Sequence, residues 1–241
     1  MKRALPFAGL LITLTSSIGL IMAAGADTNP FGSKTPAQIL SLTSAAMLKA
    51  GSVHLAGEAS FPGLASLNAT LDSAKNHSTQ LVSGTGAMET DLVIGTSHFI
   101  KGNAVDYEKS YGVENSPLAN QWVLVPTSNP TYASTFGGEL LGSLVQMTVQ
   151  MNSLKDLGVV TFQGRLAVAI SGTLPASSPF PNSPQMLYIS TSSPYLPIGY
   201  SDKLAEQGHH GTALAVFSKW GEPVKVTRPA TFVTATAEDL P

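Results

Sequence analysis

Residues 135–157 read TFGGELLGSLVQMTVQMNSLKDL. The spacing predicts a helix from about Thr135 to Leu157. Glu139, Ser143, Gln146, Gln150 and Ser153 fall on one narrow polar stripe, and Leu140, Leu141, Leu144, Val145, Met147, Val149 and Met151 fill most of the remainder. Such an apolar arc is wider than a helix needs to rest on one sheet. Two readings follow. The helix packs deeply between a curved sheet and its loops, or part of its surface lines a cavity for an apolar ligand. On the second reading Leu140, Leu144, Met147 and Met151, spaced i, i+4, i+7 and i+11, form the ligand-facing wall. The methionines suit an adaptable apolar surface, and gap-filling in a core uses the same softness.

The flanking sequence supplies the sheet. Upstream, Thr35 caps a helix with Pro36 at its first position and Gln38 completing a capping box. Ile39, Leu42, Ala46 and Ala50 recur at helical spacing, Leu40 and Met47 widen the stripe, and Gly51 stops it. Strands are then expected at Ser52–Ala59, at Thr79–Glu89 through Gly84 and Gly86, and in a hairpin of Thr90–Ile94 and Ser97–Lys101 around Gly95-Thr96. Ser60–Asn76 reads as a strand broken at Pro62-Gly63. Asn103–Ser110 reads as a short helix and Gln121–Val125 as a strand. Downstream of Gly158, strands are expected around Leu166–Ile170 and at Met186–Ser190, Ile198–Lys203, Thr212–Ser218 and Val224–Thr227, spaced as an antiparallel meander. Glycines inside strands mark bulges and tight curvature, so the sheet is expected to bend.

At the N-terminus, Lys2 and Arg3 precede an uncharged run from Ala4 to Ala24, followed by Ala24-Gly25-Ala26. These are the three parts of an export signal. Residues 1–26 are expected to be cleaved after Ala26, with an uncleaved anchor as the alternative. Residues 27–34 read as a tether, 35–229 as one domain and 230–241 as a weakly ordered tail. Removing the leader's two bases turns 13 basic residues into 11, against 15 acidic ones. A mildly acidic chain without basic runs is a poor nucleic-acid binder. Charged residues are 12% of the chain, about half the usual ~25%, while hydrophobic residues hold at 43%. With no cysteine, disulfides, thiolate catalysis and thiolate metal sites are excluded.

No metalloprotease, nucleophile-elbow, serine–lysine or phosphate-loop motif occurs. His209-His210 reads as a hairpin turn; adjacent strand imidazoles point to opposite faces and rarely share a metal. His54 is expected on the outward face. Glu58, Glu89, Asp91, Asp106 and Glu108 are scattered acids, and nothing in the sequence selects two of them for hydrolysis. Trp122 and Trp220 read as core or rim packing. Asn68-Ala69-Thr70 and Asn76-His77-Ser78 match glycosylation sequons.

Four stretches, in order, carry a resemblance. They are Lys49-Ala50-Gly51-Ser52-Val53-His54-Leu55-Ala56-Gly57; His98-Phe99-Ile100-Lys101-Gly102 with Tyr107 and Gln121-Trp122-Val123-Leu124-Val125-Pro126; Leu157-Gly158 with Phe162-Gln163-Gly164; and Leu187-Tyr188-Ile189 with Phe217-Ser218-Lys219-Trp220-Gly221-Glu222-Pro223. Together they make the chain resemble the exported LolA/LprG-like carriers, in particular the LprG/LppX lipoproteins of actinobacteria. The resemblance implies an α+β fold: a curved antiparallel half-barrel whose concave face is covered by helices, with acyl chains held between. It implies a non-enzymatic carrier or sensor of a lipid or acyl-chain ligand, extracytoplasmic, with cell-envelope membrane contact and no cofactor. Ala26-Asp27 stands where lipoprotein members carry a lipobox cysteine. A cell-surface structural or protein-interaction module with a filled core is the alternative, and a hydrolase is a third.

Overall fold

The computed structural model describes residues 29–60, 66–129, 132, 139–178, 180–206, 209–236 and 239. The expected leader, the Pro62-Gly63 break and the start of the Thr135 helix lie outside them. Helix α1 (Pro36–Ala50) leads into β1 (Ser52–Ser60), β2 (Leu67–Ala74), β3 (His77–Gly84), β4 (Ala87–Ile94) and β5 (Ser97–Gly102). Then come α2 (Ala104–Tyr111), β6 (Val123–Val125) and α3 (Leu141–Val149). The chain ends in β7 (Asn152–Phe162), β8 (Arg165–Thr173), β9 (Pro184–Ser190), β10 (Pro197–Glu206), β11 (His209–Ser218) and β12 (Val233–Thr234).

All strands belong to one open 12-stranded sheet, in the order β12-β6-β5-β4-β3-β2-β1-β11-β10-β9-β8-β7. The order is two meanders, β1–β6 and β7–β11, joined where β11 returns antiparallel to β1. Every pairing is antiparallel except the parallel β12–β6 contact. Because β6 and β7 stand near opposite edges, the chain between them must cross the sheet, and this crossing carries α3.

The expected capping box forms at α1: Gln38 N donates to Thr35 Oγ1 at 3.3 Å, and Thr35 N to Gln38 Oε1 at 2.9 Å. Gly51 closes the helix at φ 81°. The buried face is Ile39, Leu40, Thr43 and Met47, and Leu42 points outward at 44% exposure. The inward row therefore runs through 39, 43 and 47, one turn apart, rather than through Leu42. The supposed tether is partly structural, since Phe31 is buried in the main core and Asn29 Nδ2 donates to Asp156 Oδ2 at 2.9 Å.

Four other expectations are corrected. Thr79–Glu89 is two strands, because Thr85 (φ 49°) and Gly86 (φ 82°) reverse the chain into a hairpin. The long helix stops at Val149, and Asn152 onward pairs with β8 as an edge strand. Ser153 (φ 53°) and Gly158 (φ 78°) lie in this strand, which also carries two register shifts against β8. Val224–Thr227 joins no strand. The tail is not loose: β12 pairs with β6, Ala235 is buried, and Phe232 packs edge-on against Phe99 at 5.2 Å with Arg228 over both rings.

The main core joins both helical covers to the concave face. Ile39, Leu40 and Met47 from α1, and Leu141, Leu144 and Val145 from α3, meet Val53, Leu55, Leu71, Val168, Ile170, Leu187, Ile189 and Phe217. The opposite face has its own smaller cluster around Phe162, whose ring stacks on Tyr188 at 4.1 Å. Phe162 lies directly over Gly199, where an added Cβ would overlap the ring and crowd Ala215 O. Gly199→Ala is expected to destabilise the protein by about 1–3 kcal/mol through overpacking. Thermal denaturation reads this as a lowered midpoint, partly restored by adding Phe162→Leu.

Candidate functional site

Two features of the concave side are candidates: the apolar contact of α3 and a polar belt beside it. In α3, Leu141, Leu144, Val145 and Thr148 face inward, and Thr148 Oγ1 donates to Leu144 O at 2.7 Å. Leu144 is fully buried. Leu140 is the half-buried N-cap residue, without a side-chain capping bond. Met151 is buried in the same core but follows the helix, and Met147 is 38% exposed. The structure thus brings Leu144 and Met151 together and turns Met147 outward. The i to i+11 row required a helix continuing past Val149. The contrary signal was present in Gly158 and in the β-branched run Val159-Val160-Thr161.

A pocket of ≈ 290 Å³ opens beside this core, between the β9–β10 turn and the end of β11. Leu196, Ile198, Phe217 and Trp220 line it, with Arg165 and Lys219. Trp220 is rim packing, as the sequence implied: its Nε1 donates to Pro197 O at 3.0 Å and its ring lies 5.7 Å from Phe217.

The polar belt was missed by sequence reasoning. Glu89 and Asp91 are two residues apart on β4 and so share a face. His98 on β5 reaches the same place, with Nε2 3.1 Å from Asp91 Oδ1. Glu139, expected on the polar stripe of a surface helix, is instead buried just before α3. Its Oε1 lies 3.6 Å from His98 Nε2, its Oε2 accepts from Ser78 Oγ at 3.2 Å, and its carbonyl accepts from Ser73 Oγ at 2.6 Å. Asp106 arrives from α2, whose N-cap Asn103 accepts from Asp106 N at 2.9 Å. It packs against Gly102, where any Cβ would strike its carboxyl. Ser110 Oγ donates to Asp106 Oδ1, and Tyr111 OH to Glu89 Oε2, both at 2.8 Å. Of the acids the sequence offered, Glu89, Asp91 and Asp106 converge, while Glu58 and Glu108 stay apart on β1 and on the exposed side of α2. His54 pairs across strands with Asp72 at 2.7 Å. His209 and His210 begin β11 rather than forming the turn.

Burial dominates the belt's electrostatics. Desolvation pushes the Glu89 carboxyl well above its ordinary value, reinforced by Asp91 and Asp106 and opposed by the Tyr111 hydroxyl. Desolvation likewise raises Glu139, with Asp91 adding to it and Ser78 opposing it. Asp106 is raised by burial against the pull of Ser110 and Glu89. Asp106 Oδ2 has no hydrogen-bond donor if Glu89 is ionised, so a proton on Glu89 serves both carboxyls. These acids are sealed from solvent, unlike a hydrolytic pair in an open cleft. Elsewhere on the concave face, burial lifts Asp202 to about 7, against a hydrogen bond from Gln185.

A carboxyl raised on folding holds its proton more tightly in the native than in the unfolded chain. Its contribution is complete below the ordinary value near 4 and is lost as pH climbs through the raised one. Stability is therefore expected to fall between about pH 4 and 7 through Asp202, and further above that through Glu89. Asp202→Asn and Glu89→Gln should each flatten this slope and raise the melting midpoint at pH 8 more than at pH 5.

No protein-family model matches this chain, and no curated protein matches it. Solved structures do. The lipoprotein LppX of Mycobacterium tuberculosis is 18% identical over 80% of this chain and 98% of its own, with a TM-score of 0.51. LprF of Mycobacterium bovis is 18% identical over 81% of this chain and 97% of its own, at 0.48. A putative outer membrane lipoprotein-sorting protein domain of Vibrio parahaemolyticus is 8% identical over 77% and 92%, at 0.34. At these scores the first alone carries an argument about fold. The chain has the LppX fold: an open, mostly antiparallel half-barrel sheet with helices over its concave face.

Proposed function

We propose that this protein is a non-enzymatic, exported carrier or sensor that holds an acyl chain or lipid-like ligand between its bent sheet and α3. One observation carries the reading: in a fold shared with the lipoprotein LppX, the chain that crosses the concave face is apolar where it meets the sheet. A site of this kind needs apolar area rather than reactive groups, at about 25 cal/mol per Å² of ligand surface covered. Leu140, Leu144, Met147 and Met151 are its proposed wall. Leu144 and Met151 act from the core side, and Leu140 and Met147 from the partly open side. The helical cover also leaves Leu42, Leu48 and Met147 exposed, which suits contact with a membrane during loading. Among the described residues no helix is long and apolar enough to cross a membrane. Export rests on the Lys2-Arg3 leader and the Ala24-Gly25-Ala26 exit.

A structural or interaction module is the second reading, favoured by the complete burial of Leu144 in a continuous core. Organic extraction of the purified full chain followed by mass spectrometry separates the two. Co-purifying lipid at about one per chain is expected; lipid-free protein favours the module. Leu144→Glu should abolish co-purification, with circular dichroism confirming the fold. Met151→Trp, which keeps the wall apolar but fills space, should reduce it several-fold. Full lipid retention in a folded Leu144→Glu variant would falsify the assigned wall.

A further inference from the structure

We infer that Asp91, His98 and Glu139 bind one divalent transition-metal ion, independently of whether the protein carries lipid. The three residues come from β4, from β5 and from the segment entering α3, and all are buried. One ligand atom from each lies within 4.8 Å of the other two. His98 Nε2 stands 3.1 Å from Asp91 Oδ1 and 3.6 Å from Glu139 Oε1. Ligand atoms bound tetrahedrally at zinc distances sit about 3.3 Å apart, so small side-chain rotations close the set around an ion. One imidazole and two carboxylates are a donor set for Zn²⁺, Mn²⁺ or Fe²⁺ rather than for a thiophilic metal.

Charge points the same way. Glu89, Asp91, Asp106 and Glu139 bring four carboxyls to one buried belt, and the ion pairs they make among the described residues are with His98 alone. A buried carboxylate without compensation is costly. Two carboxylates and a neutral imidazole around a dication sum to zero. The outer contacts are also in place: Ser78 Oγ holds the second oxygen of Glu139, and Ser73 Oγ holds its backbone carbonyl. Such contacts orient a ligand before the metal arrives. The ion ties the entrance of α3 to β4 and β5, and so couples the cover of the apolar core to metal occupancy.

The test uses the full chain, stripped with EDTA, dialysed and titrated with Zn²⁺ by calorimetry, with thermal melts in parallel. One Zn²⁺ per chain is expected, together with a melting midpoint that rises with Zn²⁺ concentration. Asp91→Asn and Glu139→Gln, which preserve shape and hydrogen-bonding capacity, should each weaken binding about 10–100-fold. The paired His209→Ala and His210→Ala substitutions should leave it unchanged. The inference is overturned if the folded chain takes up no Zn²⁺ at about 100 μM, which makes the trio a protonated histidine between two acids. It is equally overturned if uptake survives both carboxyl substitutions or disappears with His209 and His210.

Discussion

A sheet of twelve strands that does not close on itself has two broad faces and needs something to cover each. Here the concave face carries Val53, Leu55, Leu71, Val168, Ile170, Leu187 and Ile189, contributed by strands of both meanders. Covering that face is the constraint the rest of the structure answers. Because β11 pairs with β1, the two meanders form one surface, and because β6 and β7 stand near its opposite edges, the link between them has to cross it. Helix α3 is apolar because it lies on that crossing, and α1 shares the work from the N-terminal side. The outer face needs less cover, since Phe162, Tyr188 and Ile198 pack among themselves there. The C-terminal segment serves the other half with Phe232 and Arg228 over Phe99.

The same geometry explains why the interior is not uniformly apolar. The main core lies under α1 and α3, and a second core of Ile100, Tyr107, Tyr111, Val123 and Val125 lies under α2. Between them stands the belt of Glu89, Asp91, His98, Asp106 and Glu139. Burial and mutual repulsion favour protonated acids there, a cation, or both, because ionised carboxylates in a dry interior are costly unless paired. A polar partition with few satisfactory arrangements also fixes how the covering segments seat, which an apolar contact specifies less sharply. The belt and the apolar wall meet at Glu139-Leu140, so the chemistry of one bears on the placement of the other.

Much of this was legible in the residues. The capping box at Thr35–Gln38, the hairpin at Gly95-Thr96, the helix after Asn103 and the late meander all followed from local chemistry, and all are present. The errors share a cause. At Thr85-Gly86 a turn was read as strand because glycine serves both bulges and reversals. After Val149 a helical spacing was extended into residues that pair as an edge strand, because periodicity carries no information about a partner elsewhere in the chain. Leu42 repeated at helical spacing yet faces solvent, since a row of leucines does not reveal where the sheet lies.

What the sequence determined by itself was the alternation of each strand, the caps and breaks of the elements, the surplus of apolar residues around position 144, and the absence of thiol chemistry. These depend on contacts within a few residues, where backbone sterics and hydrogen bonding decide. Only the tertiary structure decided that β11 returns to β1, that Leu144 and Met151 share a core while Met147 does not, and that Glu139 meets Asp91 and His98. Those outcomes depend on pairings across tens of residues. There the free energy lies in burial and desolvation, which no local spacing of residue types records.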